Sequence, residues 1–150
     1  MVVQAPRTAE QRKQDTLSRL EHDVDAWVAS AGSDGTAYLV PLSYLWTGTT
    51  LIMATPEASP TGRNLRASGR VRLAVGPTRD VVLIDGAVQA FSRESVPAEL
   101  ADAFAAKLWD ARAERTPYAY FEVTPQRIQA WREANELAGR DLMQDGRWLV

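Results

Sequence analysis

The chain has 150 residues, of which 45% are hydrophobic and 24% charged, an ordinary composition for one globular domain. A net charge of −2 argues against a general nucleic-acid binder, and no stretch is apolar enough for a membrane span or signal peptide. The absence of cysteine excludes disulfides and thiolate metal sites, and the single histidine, His22, excludes a multi-histidine metal site. We therefore expect one domain over residues 1–150, located in the cytoplasm, with no metal site, nucleic-acid partner or membrane contact.

The N-terminal region is predicted to be helical after a short arm. Residues 1–7 show no apolar periodicity, and we expect them to form a loose arm. Thr8 and Gln11 have the spacing of a capping box, which predicts a helix from about residue 8 to residue 22. Its apolar stripe is narrow, so the helix is expected to lie on the surface and not in the core. His22, near its end, is interpreted as a solvated surface residue.

Most of the remaining chain is predicted to form antiparallel strands. The Asp34-Gly35 pair between apolar runs is a strong hairpin signal, and Gly86 within a long strand indicates a bulge or close packing. Pro41 cannot donate to a sheet ladder, so an edge, a bulge or a ligand-facing position would suit it. The predicted strands are 25–31, 37–46, 50–55, 70–76, 79–92, 118–124 and 126–132, and short helices are predicted at 60–68 and about 97–109. This succession predicts a mainly β fold, an antiparallel barrel with flanking helices.

Two neighbouring segments carry the chemistry of a binding site. The segment after the third strand supplies hydroxyls, a guanidinium and helix-start amides, which suit a phosphate; its polar residues are Ser59, Thr61, Arg63 and Asn64. The strand Val40-Pro41-Leu42-Ser43 could present its backbone to a flat ring. The alternatives are an ordinary loop–helix connection for the first segment and a half-buried edge strand for the second.

The order of strand, turn, strand, threonine and then Ser-x-x-x-Arg-Asn-Leu, with the tail 124–150, resembles the FMN-binding split β-barrel family. These pyridoxamine phosphate oxidase-like proteins are similar to this chain over roughly residues 20–150. The resemblance implies a homodimer that binds FMN at its interface and acts as a flavin-dependent oxidoreductase. The cofactor-binding residues that it implies are Val40, Pro41, Leu42, Ser43, Ala54, Thr55, Ser59, Thr61, Arg63, Asn64, Trp131 and Trp148, the two tryptophans lining a cleft shared with the second subunit.

The chain departs from the family pattern at the expected phosphate site. Family members commonly carry Lys or Arg at the position of Thr61, and some at Pro60, so one cation is missing. A deazaflavin-dependent reductase and a non-catalytic flavin- or haem-binding carrier or sensor therefore remain alternatives, as does a barrel dimer that binds nothing. No side chain is assigned as a catalytic acid or base, because the cofactor would carry the redox chemistry. Trp27 and Trp46 are interpreted as core and dimer packing.

Overall fold

The computed structural model describes residues 4–150, which form three α-helices and eight strands. The helices are α1 (Ala9–His22), α2 (Pro60–Ser68) and α3 (Ala98–Lys107). The strands are β1 (Asp25–Ala31), β2 (Ala37–Trp46), β3 (Leu51–Pro56), β4 (Arg70–Val75), β5 (Val81–Ser92), β6 (Tyr118–Trp131), β7 (Asp141–Gln144) and β8 (Arg147–Trp148). Within these residues, no helix is both long and apolar enough to cross a bilayer.

The strands form one antiparallel sheet that closes on itself. Its order is β3-β2-β1-β4-β5-β6-β7-β8, and β3 also pairs with β6, which closes six of the strands into a barrel. Alternate residues of each strand point inward, so that side chains such as Val28, Tyr44, Leu73 and Phe121 are fully buried in the barrel core. The prediction of a mainly β barrel with flanking helices is confirmed.

The long strand β6 is continuous through Pro125, and the prediction of two strands on either side of this proline was wrong. Asp85 pairs with Arg127 and Gly86 pairs with Pro125, so Gln126 is an extra residue that bulges out of the ladder. A bulge is one of the few places where a strand tolerates proline, because the local ladder is already interrupted. The predicted bulge at Gly86 is confirmed, and the bulge keeps β6 in one piece.

Helix α1 begins as predicted, but it contributes to the core. The Thr8 side chain accepts a hydrogen bond from the Gln11 amide at 3.1 Å, as the capping pattern predicts. Leu20 is fully buried in the barrel cluster, and Arg12 and Thr16 are also buried. The expectation of a helix outside the core was therefore wrong, because one row of residues spaced by four closes one end of the barrel.

The segment before α1 is anchored and not loose over the residues that the structure describes. The guanidinium of Arg7 forms a salt bridge with Glu136 at 2.7 Å, and the Gln4 carbonyl accepts a hydrogen bond from Asn135. The predicted loose arm is thus wrong for residues 4–7, and residues 1–3 lie outside the described part of the chain. This anchoring joins the beginning of the domain to the segment between β6 and β7.

Candidate functional site

A gap opens between β2 and β3 along part of their length. The ladder between these strands runs from Trp46↔Leu51 to Tyr44↔Met53 and stops there, while β3 continues its pairing with β6 as far as Pro56. On its other side, β2 stays paired with β1 from Ser43 to Ala37. The barrel is therefore split at this point, and one edge of β2 from about residue 43 towards residue 37 has no neighbouring strand in the described chain.

The register shows which backbone groups face the open edge. The Tyr44 amide donates to the Val24 carbonyl, and the Gly32 amide donates to the Thr36 carbonyl. Because hydrogen-bonded pairs alternate along an antiparallel ladder, Val40 and Leu42 direct their backbone groups to β1. Leu39 and Pro41 direct theirs the opposite way, into the split. Pro41 has no N–H to donate. Because its backbone faces the split, the ladder between β2 and β1 loses no hydrogen bond, which explains why a proline is tolerated here.

The side chains around the split are small or apolar on the β3 side. Ala54 and Thr55 are 3% and 6% exposed, and Ala54 packs in a cluster with Ile52, Phe104 and Tyr120. Val40 and Leu42 turn their side chains toward the barrel core, while the Ser43 hydroxyl donates to Asp25 at 2.7 Å. The edge of β2 thus offers one amide and two carbonyls from Leu39 and Pro41 to the split.

Helix α2 begins at the end of this split. Ser59 caps it, since its hydroxyl accepts from the Gly62 amide at 3.0 Å and its carbonyl accepts from the Arg63 amide at 2.9 Å. Pro60 has no N–H, and the cap uses the amides of Gly62 and Arg63. The Thr61 amide is therefore the donor of the first turn that the cap does not use. A Cβ at Gly62 would lie 2.7 Å from the Pro56 carbonyl oxygen, so the turn needs glycine to pack this closely.

The predicted phosphate residues fall into three different environments. Thr61 is 2% exposed, and its hydroxyl has no hydrogen-bond partner in residues 4–150. The Asn64 side-chain amide donates to the Ser30 hydroxyl at 3.1 Å, which fixes α2 to β1. Arg63 is exposed in the first turn of α2. A basic side chain at position 61 would enter the barrel wall, whereas Pro60 is exposed and points to solvent.

The two C-terminal tryptophans lie far from this site within one chain. Trp131 ends β6 and pairs with Val81, whereas the β6 residues near the split are those that pair with β3, such as Tyr118. Trp131 lies beneath the Arg140 guanidinium at 6.0 Å, and Trp148 lies beneath the Lys13 ammonium at 4.8 Å. Ten of the predicted residues therefore lie along the split and the start of α2, although Val40 and Leu42 direct both backbone and side chain away from the split. Trp131 and Trp148 lie in other parts of the chain.

The polar cluster around Glu136 has no signal in the sequence. This carboxylate accepts hydrogen bonds from Arg7 and from the Arg132 amide, and its side chain is 3% exposed. The hydrogen bonds from Arg7 lower the pKa of Glu136 to about 2, against the opposing effect of burial. Arg12 donates to three backbone carbonyls of the same region, those of Ala130, Glu136 and Gly139. No local pattern signals contacts that span more than a hundred residues.

A family model for pyridoxamine 5'-phosphate oxidase matches residues 16–132. The chain therefore belongs to this family, and its split barrel is the fold of the pyridoxamine phosphate oxidase-like proteins. No curated protein matches the chain.

Solved structures with the same fold differ in the ligands for which they are named. An F420 reductase has 20% identity and a TM-score of 0.57, and the match covers 74% of this chain and 93% of that one. A FAD-binding protein from Mesorhizobium loti has 20% identity and a TM-score of 0.58, with coverage of 77% and 89%. A haem-binding protein from Mycobacterium smegmatis has 17% identity and a TM-score of 0.65, with coverage of 97% and 60%. These similarities concern the fold alone.

Proposed function

We propose that this chain binds the ring of a flavin-type cofactor along the open edge of β2 and acts as a flavin-dependent oxidoreductase. The observation that carries the proposal is the split itself. Leu39 and Pro41 present an alternating set of one donor and two acceptors to the gap that opens where β3 leaves β2 and continues along β6. The pyrimidine edge of a flavin requires such a fixed row of donors and acceptors. The exposed start of α2 lies beyond the gap, where the cofactor's side chain would extend.

The residues present fit the ring better than they fit a phosphate monoester. The ring needs only backbone groups and small neighbours, and both are in place. The phosphate of FMN carries a charge between about −1.5 and −2, whereas the helix start offers one guanidinium, that of Arg63. Pro60 supplies no N–H donor. The Ser59 hydroxyl is used by the helix cap, and the Thr61 hydroxyl is buried. FMN is thus proposed as the cofactor with a weakly held phosphate.

The single cation favours a second candidate, the deazaflavin coenzyme. A cofactor whose phosphate is a diester carries one negative charge there, which one guanidinium can neutralise. Loss of one charge-assisted hydrogen bond costs about 1.5–3 kcal/mol, which lowers monoester affinity by an order of magnitude or more. The same argument applies to any flavin joined through a phosphodiester. In this alternative the chain is a deazaflavin-dependent reductase that uses the same split.

In either case the bound cofactor supplies hydride or electron transfer. The backbone of Leu39 and Pro41 would orient the ring, and Ala54 and Thr55 would keep water from one side of it. Arg63 would hold the anionic end of the cofactor. No residue of the split is assigned a proton-transfer role, because the acidic group next to it, Asp25, is already engaged by the Ser43 hydroxyl.

The proposal includes a homodimer, because one chain leaves the cofactor site open on one side. The outward side of β1 and β2 carries large exposed apolar side chains, with Trp27 at 52% and Leu39 at 60% exposure. Exposed apolar patches of this kind mark interaction surfaces. Trp131 and Trp148, which lie away from the split of their own chain, would line the split of the partner.

A non-catalytic carrier of haem or flavin is the remaining alternative. The single histidine does not favour haem at the split, since His22 ends α1 and its Nδ1 contacts the Ser18 carbonyl at 2.8 Å. A carrier would bind the cofactor but would not be reduced by a nicotinamide or another donor.

The absorption spectrum of the purified protein, with mass spectrometry of any released cofactor, tests the proposal. A flavin that absorbs near about 450 nm and is reduced by an added donor supports an FMN-dependent oxidoreductase. A colourless protein that becomes active only with reduced deazaflavin supports the second candidate. A protein that binds none of riboflavin, FMN, FAD and the deazaflavin coenzyme would overturn the proposal for this chain.

A further inference from the structure

A continuous outer face runs across the side of the barrel that carries Trp27. The register places Trp27 between Pro41 of β2 and Ala74 of β4, and Ala74 pairs in turn with Leu83 of β5. Two residues along β1, Ala29 lies between Leu39 and Arg72, and Arg72 pairs with Asp85. One row across this outer face is therefore apolar and contains the exposed indole of Trp27. The neighbouring row contains the charged side chains of Arg72 and Asp85.

A groove lies on the same outer face, beside Trp27. Its volume is about 660 Å³, and its lining includes the small residues Ala29 and Ala31 of β1 and Gly86 and Ala87 of β5. Arg70 and Arg72 of β4 project between these two sets, because β4 lies between β1 and β5. The Arg72 guanidinium is held by two hydrogen bonds to Asp85, at 2.6 Å and 3.2 Å, so its plane is fixed although the side chain is 62% exposed. The groove, which contains unfilled space, therefore lies next to Trp27, a large side chain that is half exposed.

We propose that the groove of one protomer receives Trp27 of a second copy of this chain. The inference rests on the proposed homodimer and names the contact that would form it. In a twofold dimer the same patch meets itself, so a residue that inserts and the groove that accepts it must lie on one face of the chain. Trp27 and the groove meet this requirement, since Trp27 and Ala29 are two residues apart on the outward side of β1.

The chemistry of the groove suits an indole better than another occupant. Guanidinium groups stack on indole faces, and a pinned guanidinium such as that of Arg72 gives up little freedom when it does so. The alanine and glycine residues of the lining, on either side of the arginines, offer apolar contact without filling the space. Tryptophan and arginine are also the residues that most often dominate the energy of protein interfaces. A small anionic molecule would instead use the arginines alone and leave Trp27 exposed.

The experiment uses two variants that fail in complementary ways. Trp27→Ala removes the inserted side chain but keeps the groove open, and Ala31→Phe fills the groove but keeps Trp27. Both positions are exposed on a β-strand, so both variants are expected to fold, which circular dichroism and thermal unfolding will verify. A matched control is Ala103→Phe, which adds the same side chain at an exposed position of α3.

Sedimentation of each purified variant should show a dimer dissociation constant raised by about 1,000-fold, since each dimer loses two contacts worth about 30-fold each. The control should sediment like the wild type. When the two variants carry different tags and are mixed, native mass spectrometry should detect a heterodimer, because the Ala31→Phe protein still provides Trp27 and the Trp27→Ala protein still provides a groove. This heterodimer should be tighter than either variant alone by about 30-fold.

Three results would overturn the proposal. A Trp27→Ala protein that remains as dimeric as the wild type would place the interface elsewhere, while leaving the homodimer and the cofactor site standing. Two monomeric variants that do not combine would show that Trp27 and the groove do not contact each other. A wild-type monomer at micromolar concentration would remove both this contact and the shared site, and flavin binding measured on that sample would show whether the split still functions alone.

Discussion

Arg7 donates three hydrogen bonds to the carboxylate of Glu136, a residue 129 positions further along the chain. The Arg7 amide and Nε reach Oε2 at 2.9 Å and 3.0 Å, and Nη2 reaches Oε1 at 2.7 Å. The Arg132 amide adds a fourth bond at 2.8 Å. Because both side chains are less than a tenth exposed, this pair fixes the segment between β6 and β7 to the start of the domain.

Glu136→Gln should lower the free energy of unfolding by about 3–5 kcal/mol, the usual loss when one member of a buried ion pair is removed. The amide cannot accept from Arg7 at both of its ends, so the guanidinium would be left partly unpaired. Urea unfolding measures the effect. The matched control is Glu133→Gln, because Glu133 pairs with Arg79 at the surface and should cost about 1 kcal/mol or less. Equal losses in the two variants would contradict the assigned role of Glu136.

The same carboxylate makes stability depend on pH in the acid range. The pKa of Glu136 is lowered from 4.5 to about 2, chiefly by its hydrogen bonds with Arg7. A carboxyl whose pKa is lower in the folded state stabilises the fold above its unfolded pKa and loses this effect as the pH falls through its folded pKa. We expect a loss of about 3 kcal/mol between pH 4.5 and pH 2 from this group. Unfolding curves of Glu136→Gln should lack this part of the pH dependence.

Gly86→Ala should destabilise the barrel by about 1–3 kcal/mol, the cost of overpacking a filled core. A Cβ at this position would overlap with Cγ1 of Val123, which is fully buried, and would lie 3.1 Å from the Thr124 carbonyl oxygen. Val123→Ala removes the overlapping methyl, so the double variant should lose less stability than the sum of the two single variants. Strictly additive losses would show that the Thr124 backbone, and not Val123, requires glycine.

Arg63→Ala should weaken FMN binding about ten- to a hundredfold, the effect of losing one charge-assisted hydrogen bond. Fluorescence titration measures the dissociation constant, and riboflavin, which lacks the phosphate, should bind both proteins equally. The control variant is Arg79→Ala, which removes an exposed cation that pairs with Glu133. If FMN bound wild type and Arg63→Ala alike, Arg63 would be a surface residue without a role in the site.

Pro60→Lys should tighten FMN binding by about 1 kcal/mol at low salt, with a gain that shrinks as salt rises. The position is exposed and is the first residue of α2, so a lysine there can reach an anion without entering the core. Thr61 is the wrong place for this change because its side chain is buried. A gain for FMN without a comparable gain for a phosphodiester flavin would support the charge argument. Equal gains for both, or none, would argue against it.

Local sequence patterns predicted the features that depend on residues close together in the chain. The Thr8–Gln11 cap and the Asp34-Gly35 hairpin follow from cap and turn residues. Trp27 and Trp46 looked equivalent in sequence, yet they are 52% and 8% exposed because strand alternation places them on opposite faces. The apolar run in β1 does not reveal which set of alternate residues points inward.

Features that depend on distant partners could not be predicted. The continuity of β6 through Pro125 requires the bulge opposite Gly86, which arises only when β5 and β6 are paired. The open edge of β2 exists because β3 continues along β6 after it leaves β2 at Met53. Sequence indicated that Pro41 needs an unusual position, but only the register showed that its missing N–H would have pointed into the split.

Amide hydrogen exchange at Leu39 distinguishes a cofactor bound in the split from one bound elsewhere on the chain. In the free protein the Leu39 amide faces the split, whereas the neighbouring Val40 amide is paired with β1. If a flavin ring binds along the open edge of β2, saturating cofactor should slow exchange at Leu39 by at least about tenfold, while Val40 stays protected throughout. Binding that leaves exchange at Leu39 unchanged would show that the cofactor lies elsewhere on the chain and would contradict the account of the split as the cofactor site.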